Sequence, residues 1–139
     1  MRTIHLGVRV SDAQRSIDFY TAVGYEIVGR VPDTPIGELT MLKLPADEFV
    51  TIELVHNPKT PHDPAPGGTL SHLVIATDSM TDTVTKLTAH GIPVEPSTSP
   101  DGTDHFLTTM IADPDGNQVE IVQWPPGHPA GFTAADFTT

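Results

Sequence analysis

Four polar residues interrupt apolar, strand-like stretches of this chain: His5, Glu53, His72 and Glu120. Along the first stretch, Ile4, Leu6, Val8 and Val10 share one face, and His5, Gly7 and Arg9 share the other. Glu53 stands between Ile52 and Leu54, His72 between Ser71 and Leu73, and Glu120 between Val119 and Ile121. A carboxylate enclosed by apolar neighbours needs a cation or water, because burying it unpaired is costly. The four form two pairs with one spacing: His5 to His72 and Glu53 to Glu120 are each separated by 67 residues. Gly24 and Gly91, each after a helical stretch, keep the same offset of 67. A repeat must keep its packing residues, but packing gives it no reason to keep both polar ones. Two imidazoles and two carboxylates make a sound ligand set for Ni²⁺, Zn²⁺, Co²⁺ or Fe²⁺, with positions left open for water or substrate.

The elements that must position these residues also occur twice. In the first module, Thr3 to Val10 reads as a strand by its alternation. A helix is expected from Ser11, with Gln14 as a capping-box partner, Ile17, Tyr20 and Ala22 or Val23 as its buried stripe, and Gly24 as its stop. Tyr25 to Val31, Gly37 to Leu44 and Val50 to His56 read as three further strands. The second module repeats the order: a strand over Ser71 to Thr77, a helix over about Ser79 to His90, then strands near Ile92, over His105 to Ile111 and over Gln118 to Gln123. Asp113-Pro114-Asp115-Gly116-Asn117 is a turn, with Gly suited to a positive φ. The expected fold class is α+β, built from two tandem βαβββ modules. Module 1 covers about residues 1–57, a proline-rich linker 58–68, module 2 about 69–124 and a tail 125–139, all within one domain. Proline and glycine set the linker apart. The tail is expected to order by packing on a partner, and His62 and His128 read as solvated loop histidines.

Composition narrows the function classes. The chain has 139 residues, enough for one domain with a real core. Its formal net charge of −11 argues against nucleic acid and against anionic membrane surfaces as partners. It has no cysteine, which excludes thiol nucleophiles, disulfides and zinc–thiolate sites. No apolar run approaches the length of a membrane span, and Met1 to Val10 lacks the apolar core of a signal peptide. The sequence therefore reads as a soluble, cytoplasmic protein.

These residues also carry a family likeness. The chain resembles the vicinal oxygen chelate superfamily, and within it glyoxalase I, over about residues 1–124. The likeness rests on His5 with Arg9-Val10, Ser16-Ile17-Asp18-Phe19-Tyr20, Ile52-Glu53-Leu54, His72, and Asp113-Pro114-Asp115-Gly116 followed by Val119-Glu120-Ile121. It implies a cupped mixed sheet with helices outside, one divalent metal per site (Ni²⁺ or Zn²⁺, with Co²⁺ as a further candidate), and a homodimer. Each site would pair His5 and Glu53 of one chain with His72 and Glu120 of the other. The implied activity converts the hemithioacetal of an α-ketoaldehyde such as methylglyoxal and a low-molecular-weight thiol into a 2-hydroxyacyl thioester. Glu120 would be the base and Glu53 its near-symmetric counterpart. Arg9 and Asn57 match family positions that contact glutathione. The chain departs from the family in its second module, where Lys86 is the sole Lys or Arg after residue 59, so the thiol is left open. Trp124 has the parity of Glu120 and reads either as pocket lining or as core cover.

Other members of the superfamily offer rival readings. A drug-sequestering module typically lacks the metal ligands that are filled here. A coenzyme A thioester epimerase usually carries Gln where this chain has Glu53. An extradiol-type dioxygenase uses two histidines and one carboxylate, and Glu53 would crowd that site. A phosphonate-antibiotic thiol transferase would need basic residues for its anionic substrate.

Overall fold

In the computed structural model, which describes residues 4–60, 70, 72–132 and 134–137, the strands divide into two sheets. The chain groups into two units, one of Met1–Thr69 with Asp113–Gly116 and one of Leu70–Ala112 with Asn117–Thr139. The class is α+β, as the sequence implies. The linker residues 61–69, His62 among them, lie outside the described residues.

The first unit holds β1 (Leu6–Arg9), α1 (Ala13–Val23), β2 (Glu26–Val31), β3 (Glu38–Lys43) and β4 (Ile52–His56). Its sheet runs β1-β4-β3-β2, with β1 parallel to β4 and the other pairs antiparallel. Period-two alternation assigns its residues to two faces. Leu42, Ile52 and Leu54 are fully buried and form the core with Ile17, Phe19 and Tyr20 of α1. Burying side chains of this size contributes about 1.5–3 kcal/mol each. Glu53 and Val55 take the opposite face of β4. Of the apolar stripe near the N-terminus, Val8 and Val10 are buried, whereas Ile4 and Leu6 are exposed.

The start of α1 differs from the expected capping box. Asp12, not Ser11, caps the helix, its carboxylate accepting the Arg15 N–H at 3.0 Å. Ser11 is engaged elsewhere: its N–H and hydroxyl both donate to the Asp115 carboxylate. Gln14 donates along the helix to Asp18. Gly24 ends the helix with φ 131°, a conformation that favours glycine. Gly37 is fixed more tightly still: at φ 124°, an added Cβ would lie 2.5 Å from the His56 carbonyl oxygen.

The second unit holds β5 (His72–Ala76), α2 (Met80–Ala89), β6 (Leu107–Ala112) and β7 (Gln118–Gln123), followed by a short 3₁₀ turn (Ala134–Phe137). Its sheet runs β5-β7-β6, with β5 parallel to β7 and β6 antiparallel. Ile111, Val119 and Ile121 bury against Leu87 and Met80 of α2. Ser79 caps α2, and the Gln123 amide oxygen accepts the Met80 N–H at 2.7 Å, tying the helix start to β7. The strand expected near Ile92 does not form. Pro93 and Pro96 remove two donors there, and only a Glu95–Met110 backbone bond and an isolated Thr98–Thr108 bridge remain. Among the described residues, no helix is long and apolar enough to cross a membrane.

Candidate metal centre

Each sheet presents one His–Glu pair on the face away from its helix. In the first unit, His5 Nε2 lies 3.6 Å from Glu53 Oε2; in the second, His72 Nε2 lies 3.5 Å from Glu120 Oε2. Parallel pairing produces both approaches. β1 runs beside β4 with Gly7 opposite Glu53, and β5 runs beside β7 with Val74 opposite Glu120. Each histidine therefore precedes its glutamate's cross-strand partner by two residues, on the same face. The separations exceed the usual 2.7–3.2 Å of a hydrogen bond. They match the spacing of about 3.4 Å between two ligands held tetrahedrally at about 2.1 Å from one ion. Both histidine side chains are 41% exposed, whereas Glu53 is 14% and Glu120 28% exposed, so the carboxylates are the more sheltered partners. A paired imidazole and carboxylate, half open to solvent, suits a divalent transition metal. Each pair supplies two donors. Among the described residues, no group of three or more His, Cys, Asp or Glu side chains gathers at one point.

The surroundings of the two pairs differ. In the first unit, Arg9 is exposed on β1 and Asn57 follows β4. The Asn57 amide oxygen accepts the Lys59 N–H at 3.0 Å and so closes the turn after the strand. In the second unit, a cavity of about 610 Å³ opens beside His72 and Glu120. Val74, Ala76 and Val122 of the sheet, with Phe106, Trp124 and Phe132 beyond it, make it chiefly apolar. Of the two readings open to Trp124, the structure places it in the cavity wall.

Phe106 and the tail were not singled out as site residues from the sequence. The Phe106 and Trp124 rings stack at 5.1 Å and 16°, and the His128 ring stacks on Trp124 at 4.5 Å and 8°. The Phe132 ring meets Trp124 edge-on at 4.9 Å. His128 thus departs from the expected solvated loop histidine. Its Nδ1 faces the Pro129 carbonyl at 2.6 Å and its Nε2 the Asp136 carboxylate at 2.7 Å. Two acceptors favour the doubly protonated ring, so its pKa is raised, first by Asp136 and then by Pro129. His128 and Phe132 of the tail pack on Trp124 of their own chain rather than on a partner. The only sequence signal for this was aromatic spacing in an otherwise proline- and glycine-rich segment.

Behind the first pair, Tyr20 and Asp113 anchor the fold. The Tyr20 hydroxyl donates to Asp113 Oδ2 at 2.8 Å, and both residues are buried. Burial, then the neighbouring Asp113 charge, pushes the phenol pKa far up, so Tyr20 stays a neutral donor.

Residues 2–121 match the model of the glyoxalase/bleomycin resistance protein/dioxygenase superfamily. The lactoylglutathione lyase of Escherichia coli O157:H7 is 28% identical over 127 residues, covering 88% of this chain and 93% of that protein. A probable lactoylglutathione lyase of Vibrio cholerae is 30% identical over 127 residues, covering 88% and 90%. Among solved structures, the trypanothione-dependent glyoxalase I of Leishmania major superposes with a TM-score of 0.70 at 24% identity, over 88% of this chain and 86% of that one. The fold, the duplicated His–Glu pairs and these matches lead to one conclusion: the chain belongs to the glyoxalase/bleomycin resistance protein/dioxygenase superfamily.

Proposed function

We propose that the protein is a metal-dependent, glyoxalase I-like isomerase. Its substrate would be the hemithioacetal of an α-ketoaldehyde such as methylglyoxal and a small thiol, and its product the 2-hydroxyacyl thioester. The observation that carries this reading is the repetition of one His–Glu pair, at 3.6 and 3.5 Å, at equivalent positions of two sheets. Relatives named lactoylglutathione lyase support it. His5, Glu53, His72 and Glu120 would hold one divalent ion per site, Ni²⁺ or Zn²⁺ being preferred and Co²⁺ tolerated. With two donors in each pair, we place one pair from each of two chains at every site of a homodimer. When bound, the ion supplies a Lewis acid for negative charge on the substrate's two oxygens.

The chain's own residues account for the remaining chemistry. The Glu120 carboxylate takes the proton from the carbon that bears sulfur, and the electron pair left behind forms an enediolate. The same carboxyl group returns the proton to the adjacent carbon. The hydroxyl proton of the hemithioacetal passes to the former carbonyl oxygen, so the former carbonyl becomes the hydroxyl, the former hemithioacetal carbon becomes the thioester carbonyl, and no atom is gained or lost. Glu53 stands in the near-symmetric position. Arg9 would meet an anionic part of the thiol, and Asn57 would donate its amide N–H to a peptide-like part.

One observation favours a second reading: the apolar cavity beside Glu120 would also suit a small-molecule-binding member of the superfamily. Metal content per chain, followed by turnover of methylglyoxal with a panel of thiols, separates the two. About one transition metal per chain together with thioester formation supports the isomerase. No metal, and none taken up from added Ni²⁺, Zn²⁺ or Co²⁺, leaves the binding module.

A further inference from the structure

We propose that Met41 and Met110 are a pair of oxidation-sensitive positions. A peroxide converts their thioethers to sulfoxides, and the oxidised side chains loosen the hold of Glu53 and Glu120 on a metal ion. The effect on metal rests on the proposed role of the four polar residues; the placement of the two sulfurs comes from the sheet register alone.

Sulfur is scarce in this chain, which has no cysteine and four methionines. Among the described residues, Met80 is buried at 3% exposure, whereas Met41 and Met110 are half-buried. Both of these lie on the sheet face that carries the His–Glu pair. Thr40 and Leu42, the neighbours of Met41 on β3, are buried, as are Thr109 and Ile111 around Met110 on β6. Period-two alternation turns each methionine to the other face. There Met41 stands directly opposite Glu53, and Met110 directly opposite Glu120. Such cross-strand partners have Cβ atoms about 4.5–5.5 Å apart. Each glutamate thus has its histidine on the parallel side and a thioether on the antiparallel side.

The far side of each methionine is open. Gly29 of β2 lies opposite Met41, and a Cβ added to Gly29 would meet nothing within 4 Å. Met110 is on β6, the edge strand of its sheet. A small oxidant therefore has room to reach either sulfur. In the reaction the peroxide O–O bond breaks and an S–O bond forms. Sulfur gives up two electrons, one oxygen is transferred and water leaves. A flexible apolar side chain becomes a polar one, and its new oxygen carries partial negative charge. That oxygen repels an ionised carboxylate a few ångströms away. The glutamate turns aside, and the His–Glu separations of 3.6 and 3.5 Å are lost.

The test treats the metal-free full chain with hydrogen peroxide, removes the peroxide, and then measures Ni²⁺ affinity by competition with a chromophoric chelator. Peptide mass mapping reads the oxygen gained at each methionine. Met41 and Met110 should oxidise at least about tenfold faster than Met80, because susceptibility follows exposure. The oxidised protein should bind Ni²⁺ about 10- to 100-fold more weakly, the range of a residue that supports a ligand. Methionine sulfoxide reductase with a thiol reductant should restore the affinity. The Met41→Leu/Met110→Leu variant conserves volume, and it should bind Ni²⁺ equally before and after peroxide. Oxidation of Met80 as fast as the other two would overturn the proposal. So would unchanged affinity with both positions oxidised, or an equal loss of affinity in the double variant. Untreated protein that takes up no Ni²⁺, Zn²⁺ or Co²⁺ would remove the metal-dependent reading and this proposal together. Metal uptake that is indifferent to oxidation removes this proposal alone.

Discussion

Glu53 and Glu120 occupy the same register position in their two sheets. Glu53 faces Gly7 of the parallel strand and Met41 of the antiparallel one, and Glu120 faces Val74 and Met110 in the same way. The histidine two residues before each parallel partner completes the pair. The equivalence holds although the two methionines are 69 residues apart and the glutamates 67, so the strand pairing absorbs two extra residues in the second module.

That equivalence makes the carboxylates separable by mutation. Glu120→Gln keeps the size and much of the polarity of the side chain but cannot accept the substrate proton. Turnover should fall by about 10²–10⁴-fold, the range of a lost general base, with an unchanged thermal transition. Wild-type turnover in this variant would assign the base elsewhere, Glu53→Gln being the next variant to assay.

Metal content should track the histidines. The protein purified without supplementation should carry about one divalent transition metal per chain. His5→Ala or His72→Ala should weaken binding by more than the 10- to 100-fold typical of residues that merely support a ligand. Elemental analysis after dialysis reads this, and full metal retained in the double variant would show that other groups hold it.

The Tyr20–Asp113 bond should be one of the larger polar contributions to stability. Tyr20→Phe leaves the buried Asp113 carboxylate without a 2.8 Å donor. Removing one partner of a hydrogen bond to a charged group costs about 1.5–3 kcal/mol. A urea transition with unchanged slope and a lower midpoint would register it. An unmoved midpoint would mean that water or another donor replaces the phenol.

The tail should loosen as pH rises. The His128 pKa is raised by Asp136 and Pro129, so the folded tail binds the proton more tightly than the unfolded one. Its contribution is complete below the ordinary histidine pKa of about 6.5 and is lost as pH climbs through the raised value. Amide exchange of residues 125–137 should therefore quicken on that climb, and Trp124 fluorescence should change with it. Asp136→Asn should shift the change to lower pH. A tail equally protected across that range would show that the aromatic stacking alone holds it.

The sequence by itself determined the α+β class, the repeat and its 67-residue offset, and the four residues proposed as ligands. Alternation assigns faces, and a conserved offset within one chain reveals which polar residues are kept together. It also located the Asp113–Gly116 turn, because proline and glycine act on their own backbone. Only the tertiary structure decided what depends on partners distant in sequence. Ser11 gives up the helix cap because Asp115, 104 residues away, takes its hydroxyl. The strand near Ile92 fails because Pro93 and Pro96 break the pairing that the apolar pattern invites. His128 becomes a clasp because Trp124 and Asp136 converge on it. Periodicity and turn chemistry are local and can be read along the chain. Stacking, distant hydrogen bonds and the cavity they enclose exist only once remote segments meet in space.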